Sequence, residues 1–161
     1  MGRYTRGRMQ LTDVMSTSLV TVSPDTRIGD AARRMVEADV GAAIVLAEGD
    51  ELVGMITERD LLRCVSEAVD PASPVSDRMT RHVLTATPAT ELAEAMALMV
   101  DGHFRHLPVT NDEGHVIGVA SMRDLMAYTS LRLRGGGFGA GDDLDPAEVI
   151  ATIHRMRTGA A

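Results

Sequence analysis

The chain has 161 residues, of which 45% are hydrophobic and 2% aromatic, and its formal net charge at pH 7 is −7. That length suits one compact domain or two small intertwined ones, and the apolar content can fill a real core, which excludes global disorder. Net acidity and the shortage of aromatics (Tyr4, Phe104, Tyr128, Phe138) argue against a nucleic-acid binder, since single-strand binders need stacking platforms along a basic groove.

In chain order, Arg3, Arg6 and Arg8 are not followed by an apolar stretch, so no secretory leader is expected. Leu19–Val22 reads as a strand ending before Pro24. Ile28, Ala31, Ala32, Met35 and Val36 then fall on one helical face, with Thr26 placed as its N-cap. A second strand (Ala42–Leu46), a polar turn (Glu48–Glu51) and a third strand (Leu52–Ile56) lead into a helix over Glu58–Ser66. Cys64 is the single cysteine, so no intrachain disulfide is possible; without a neighbouring base or resolving thiol it reads as inert. The stretch Ser66–Pro74, with two prolines, reads as a linker.

The pattern then repeats. A strand over Val83–Thr87 precedes Pro88, and Thr90 is the expected cap of a helix carrying Leu92, Ala95, Met96, Met99 and Val100. The methionines of that helix read as core rather than as a binding face. Strands over Leu107–Thr110 and Val116–Ala120, separated by the turn Asn111–His115, lead to a closing helix over Met122–Leu131. Gly135, Gly136, Gly137, Gly139 and Gly141 mark a flexible hinge. Asp145-Pro146-Ala147-Glu148 starts a short C-terminal helix, about Pro146–Met156, with Val149, Ile150, Ile153 and Met156 on its apolar face.

Displacing the sequence by 64 residues aligns Val14–Leu62 with Arg78–Met126 without a gap and makes 12 pairs identical, including Met15/Met79, Pro24/Pro88, Gly54/Gly118 and Arg59-Asp60-Leu61/Arg123-Asp124-Leu125. Shared helical bias does not match Pro, Gly and a charged triplet in register, so the chain holds two copies of one β-α-β-β-α unit. The fold class is therefore mixed α/β (α+β), and units of this size must pack on each other to be stable. The expected boundaries are 9–66 for the first domain, 67–75 for the linker, 76–132 for the second domain, 133–145 for the hinge and 146–156 for the C-terminal helix. The longest apolar runs, Val40–Ala47 and Ala95–Val100, are too short to span a bilayer, so a soluble cytoplasmic protein is expected, with no membrane partner.

Candidate chemistry concentrates in Gly54-Met55-Ile56-Thr57-Glu58-Arg59-Asp60 and Gly118-Val119-Ala120-Ser121-Met122-Arg123-Asp124. Each puts a hydroxyl at a strand-to-helix junction, a carboxylate one helical turn later and a glycine that permits close backbone approach. A carboxylate can accept both hydrogens of a ribose's vicinal hydroxyls, each charge-assisted bond contributing on the order of 1.5–3 kcal/mol, and the helix N-terminus favours phosphate. Thr/Ser-x-x-Asp is equally close to a capping box that only satisfies the helix's own N–H groups. Its recurrence in register favours the binding reading.

The repeat, its Gly-x-x-Thr/Ser-x-x-Asp end and Phe104-Arg105-His106-Leu107-Pro108-Val109 resemble tandem CBS domains over Leu11 to Arg132. The resemblance implies two repeats packed with pseudo-twofold symmetry into a Bateman module with two clefts. It also implies an adenosine-containing ligand (AMP, ADP, ATP, NAD or S-adenosylmethionine) and frequent homodimers. By this resemblance Thr57 with Asp60, and Ser121 with Asp124, hold ribose. Arg105 and His106 are placed for phosphate, and ligand contacts are expected at Ala42, Ala43, Leu107 and Pro108. The first copy has Gly41 and Ala42 in place of Arg105 and His106, so one cleft is expected to hold phosphate better than the other. Arg105 pairing with a surface acid is the alternative.

Other candidates are weaker. His103-x-x-His106 lacks a local cysteine or carboxylate to complete a metal site, and the glycine-rich Gly135–Ala140 follows a helix rather than a strand, which suits a linker and not a dinucleotide loop. No Ser-His-Asp order or acid–base pair emerges, so no enzyme activity is expected. Two readings remain: a nucleotide-sensing module that signals to an effector protein, and a dimerising scaffold that binds no ligand.

Overall fold

The computed structural model describes residues 9–134, so the expected C-terminal helix and most of the expected hinge lie outside the described residues. The first repeat comprises β1 (Thr21–Val22), α1 (Ile28–Glu37), β2 (Ala42–Leu46), β3 (Leu52–Thr57) and α2 (Glu58–Ser66). The second comprises α3 (Leu92–Asp101), β4 (His106–Thr110), β5 (Val116–Ser121) and α4 (Met122–Arg134). In the first repeat β1 lies parallel to β2, pairing Thr21 with Ile44, and β2 runs antiparallel to β3. In the second, β4 and β5 are antiparallel, and the strand expected over Val83–Thr87 reduces to one parallel bridge between Ala86 and Val109. Two backbone bonds make that bridge, from Ala86 N to the Pro108 carbonyl and from Thr110 N to the Ala86 carbonyl, each 2.9 Å. Pro108 itself has no N–H to donate.

The helices bury a narrower stripe than their apolar pattern suggests. α1 inserts Ile28, Ala31 and Met35, and α3 inserts Leu92, Ala95 and Met99. Val36 and Val100, expected on the same faces, are 81% and 61% exposed.

The two repeats are interlaced through their leading segments. The core of the second repeat (Leu92, Met99, Leu107, Leu125, Tyr128) is completed by Leu11 and Val14 from the start of the chain. The core of the first (Ile28, Met35, Val45, Ile56, Cys64) is completed by Val75 and Met79, which precede the second repeat. Reciprocal backbone bonds fix both crossings: Ser16 with Val119 at 3.0 and 2.9 Å, and Thr80 with Met55 at 2.9 Å each way.

These crossings explain the motif glycines. A Cβ on Gly54 would lie 2.6 Å from Met79 Sδ and 2.9 Å from the Thr80 carbonyl oxygen. One on Gly118 would lie 2.8 Å from Met15 Sδ and 3.2 Å from the Ser16 carbonyl oxygen. The close approach that each glycine permits is thus to a crossing segment.

The crossings also correct the expected caps. Thr26 and Thr90 are not N-caps: the cap positions are Arg27 and Glu91, neither with a side-chain capping bond. The Thr26 hydroxyl accepts from Ser23 N at 3.0 Å and that of Thr90 from Thr87 N at 3.1 Å, closing the Pro24 and Pro88 turns. Helix N–H groups are satisfied instead by distant carbonyls. Ile28 N donates to Ser73 and Gly29 N to Pro71, while Leu92 N donates to Met9, all at 2.9 Å.

Candidate functional site

Both hydroxyl–carboxylate pairs sit where a strand turns directly into a helix. Thr57 ends β3 in an extended conformation and is the N-cap of α2. Its N–H donates to Asp60 Oδ2 at 2.9 Å and its hydroxyl to the same oxygen at 2.6 Å; the Thr57 hydroxyl oxygen in turn accepts from Asp60 N at 3.4 Å. At the equivalent junction the Ser121 hydroxyl donates to Asp124 Oδ2 at 2.6 Å, and its oxygen accepts from Asp124 N at 3.1 Å. Each pair is therefore a helix cap.

Capping occupies only one carboxylate oxygen of each aspartate. The other oxygens differ. Asp60 Oδ1 lies 3.8 Å from the Arg63 guanidinium. Asp124 is 6% exposed, and its Oδ1 is buried with no hydrogen-bond partner among the described residues. A buried acceptor left unpaired loses its hydration without compensation, so a donor brought by a ligand would recover that cost.

Each aspartate lines a cleft between the repeats. The narrower, about 360 Å³, sets Thr57 and Asp60 against His82, Leu84, His103 and Phe104. The wider, about 830 Å³, sets Ser121 and Asp124 against Ser18, Val20, Asp39 and Ala42. Every cleft is thus walled by both repeats. Arg105 and His106 line both, as does Glu58, which holds the Arg105 guanidinium at 3.0 Å. The surface-acid pairing that sequence offers for Arg105 is present, but both partners are more than half exposed, which leaves the pair weak and exchangeable.

The structure brings Thr57, Asp60, Ser121, Asp124, Arg105, His106 and Ala42 onto cleft walls. It does not bring Ala43, Leu107 and Pro108 there: all three are buried. β2 and β4 are covered on both faces at their centres, so three successive residues of each are buried and alternation gives no guide to which faces a cleft. Missed by sequence reasoning were Ser16, Ser18 and Asp39 in one cleft and Thr80 and His82 in the other, while His103, the counterpart of Asp39, enters that reasoning only as half of a metal pair. Their signal was the 64-residue offset, which pairs them one to one, combined with a crossing that no single copy reveals.

Cys64 is buried, and burial is the main cause that pushes its thiol above the usual cysteine value, opposed by the positive charge of Arg78. Among the described residues no group of three or more His, Cys, Asp or Glu side chains is placed to hold a metal ion. None of the helices there is long and apolar enough to cross a membrane.

Two interlaced copies of a small α/β unit, with a helix-capping hydroxyl–carboxylate pair in each intervening cleft, define a tandem-repeat module. The chain belongs to the CBS-domain family, whose profile matches residues 11–67 and 75–130. It is 36% identical over 114 residues to the CBS domain-containing protein YhcV of Bacillus subtilis, covering 70% of this chain and 80% of that protein. An uncharacterized 17.7 kDa protein of Acidianus ambivalens is 35% identical over 116 residues, covering 72% of this chain and 70% of its own. Some relatives are longer, and the match spans 59% of one from Methanopyrus kandleri. Among solved structures, that of CBSX2 in complex with AMP is similar with a TM-score of 0.68 at 28% identity, over 78% of this chain and 98% of that one.

Proposed function

We propose that this chain is a non-catalytic regulatory module that binds an adenosine-containing nucleotide, AMP or ATP foremost, and transmits its occupancy to an effector protein. The observation that carries this reading is buried Asp124, which lines a cleft between the repeats and has a carboxylate oxygen, Oδ1, with no hydrogen-bond partner among the described residues. Its Oδ2 holds the Ser121 hydroxyl while Oδ1 is covered, and a rotation of the carboxylate would turn Oδ1 to a ribose hydroxyl entering the cleft. Thr57 with Asp60 repeats the hydroxyl–carboxylate pair in the second cleft, and the likeness to a CBS structure solved with AMP supports an adenosine-containing ligand. ADP, NAD and S-adenosylmethionine share the adenosine that this geometry addresses. The single buried cysteine suits a reducing compartment, and we place the module in the cytoplasm.

A thermal-shift panel tests the reading. A ligand that binds only the folded state stabilises it by about 2.7 kcal/mol at a hundredfold excess over its Kd. For a domain of this size that corresponds to a rise of roughly 5–10 °C. AMP or ATP should produce it, and guanosine and cytidine nucleotides should not. The competing scaffold reading draws on the self-contained caps, which need no ligand to satisfy α2. A flat response across the panel would establish it instead.

A further inference from the structure

We propose that the two clefts sort adenosine-containing ligands by charge: the narrow cleft beside Asp60 takes a phosphate-bearing one, and the wide cleft beside Asp124 takes an uncharged or cationic one. The adenosine part of this statement rests on the function proposed above; the sorting rests on the cleft walls.

Residues 64 apart occupy equivalent places in the two clefts, and their chemistry diverges in one direction. His82 and His103 of the narrow cleft correspond to Ser18 and Asp39 of the wide one, while Arg105 and His106, whose counterparts are Gly41 and Ala42, border both. Among the fully ionised groups, the narrow cleft sets Arg59, Arg63 and Arg105 against Glu58 and Asp60, a surplus of one positive charge. The wide cleft sets Arg105 and Arg123 against Asp39, Glu58 and Asp124, a surplus of one negative charge. Since Arg105 and Glu58 belong to both, the difference comes from residues particular to each. A concave site walled by protein focuses such a field, so a small imbalance acts strongly on a charged ligand.

The carboxylates carry an independent sign of the same division. Asp60 has Arg63 3.8 Å from its second oxygen, which offsets the repulsion that a carboxylate exerts on a nearby phosphate. Residue 127, the counterpart of Arg63, is Ala, and among the described residues Asp124 has neither an ion-pair partner nor a hydrogen-bond partner for its Oδ1. The wide cleft therefore offers a neutral ligand a carboxylate acceptor once Asp124 turns toward it, and offers a phosphate little. Its remaining wall includes Met35, Leu61, Met122 and Met126, an apolar and polarisable surface.

Calorimetric titration of the whole chain with AMP, adenosine and inorganic tripolyphosphate tests the sorting. Asp60→Asn and Asp124→Asn, which keep side-chain shape, assign the clefts. His103→Asp and Asp39→His exchange the equivalent charges; both positions already adopt positive φ (56° and 51°), and both are exposed, so neither exchange disturbs a core. The expected result is that tight AMP binding is lost in Asp60→Asn and kept in Asp124→Asn, with the reverse for adenosine. His103→Asp should weaken AMP roughly tenfold, the effect of one charge a few ångströms away in a partly solvated site, and leave adenosine unchanged. Asp39→His should give the wide cleft an AMP affinity that it otherwise lacks. Tripolyphosphate should displace AMP and not adenosine. AMP binding that survives Asp60→Asn and disappears in Asp124→Asn overturns the sorting while keeping adenosine recognition. If neither AMP nor adenosine binds, adenosine recognition falls and tripolyphosphate decides alone. Binding weakened by His103→Asp then supports the sorting, and absent or indifferent binding overturns it.

Discussion

Gly54→Ala separates two roles for the motif glycine, service to a ligand and service to the crossing segment. The added Cβ meets Met79 Sδ at 2.6 Å and the Thr80 carbonyl oxygen at 2.9 Å. The thioether can swing away at small cost, because methionine has several rotatable bonds. The carbonyl cannot, since Thr80 exchanges two 2.9 Å bonds with Met55, the residue next to Gly54. Relief requires the crossing segment to lift, straining those bonds and withdrawing Met79 from the first core. Overpacking of this kind costs about 1–3 kcal/mol, offset in part by the better strand propensity of alanine. Gly118→Ala meets its nearest backbone atom, the Ser16 carbonyl oxygen, at 3.2 Å and should cost less. Urea denaturation followed by circular dichroism would show Gly54→Ala less stable than wild type by about 1–3 kcal/mol and Gly118→Ala in between, with ligand affinity in both changed little once folded. Wild-type stability in Gly54→Ala together with lost nucleotide binding would refute the reasoning and assign the glycine to the ligand.

Three further expectations follow from burial and charge. Asp60→Ala should cost about 1 kcal/mol as a lost cap, and Asp124→Ala less, because it also removes a buried oxygen without a partner; urea titration showing the opposite order contradicts this. Burial raises the Cys64 thiol, so its contribution to stability is complete below the unfolded thiol's value of about 8.5 and is lost as pH rises through the higher folded value. Replacing Cys64 with Ala should therefore flatten the alkaline decline of stability, and a thiol reagent that reacts at once with the native protein would show that Cys64 is not sequestered. Val36, Leu62, Val65 and Met126 are exposed apolar side chains, which suits a self-complementary twofold interface; light scattering should give twice the 17.2 kDa chain mass at micromolar concentration, and the single mass would rule out the dimer.

What was legible in the sequence was what short-range chemistry decides. α2 runs over Glu58–Ser66 as its pattern predicts, since Thr57 and Asp60 supply a capping box within four residues. The α1 and α3 periodicities found the buried triplets, but the width of the apolar stripe overstated the covered face. The interlacing was not legible. Leu11 and Val14 are chemically as fit for one core as for the other, and two repeats of the same apolar pattern offer both cores equally. The same long-range contact hid the capping of α1 and α3, because the acceptors at Ser73, Pro71 and Met9 belong to the crossing segments. On the closing helices, Tyr128 and Leu125 are 1% and 0% exposed and Leu61 is partly buried against the first core, so helical apolarity alone does not tell these core residues from the exposed Leu62, Val65 and Met126. Tyr128 stands 64 residues after Cys64, and each is buried in the core of its own repeat.

The crossing also bears on how a cleft can report its contents. Met15 packs against Gly118, and the residues that follow it, Ser16 to Val20, wall the wide cleft. Met79 packs against Gly54, and Thr80 to Leu84 wall the narrow one. Each cleft wall is therefore continuous with an anchor in the opposite repeat's core: Leu11 and Val14 on one side, Val75 and Met79 on the other. A ligand that draws its wall inward pulls on that anchor, and dense cores transmit such displacements instead of absorbing them. Glu58 and Arg105 supply a second connection, since their exposed pair borders both clefts and a phosphate competing for Arg105 releases Glu58 toward the other. Coupling of this kind is reciprocal by linkage: whatever one occupant does to the affinity of the opposite cleft, an occupant there does in return.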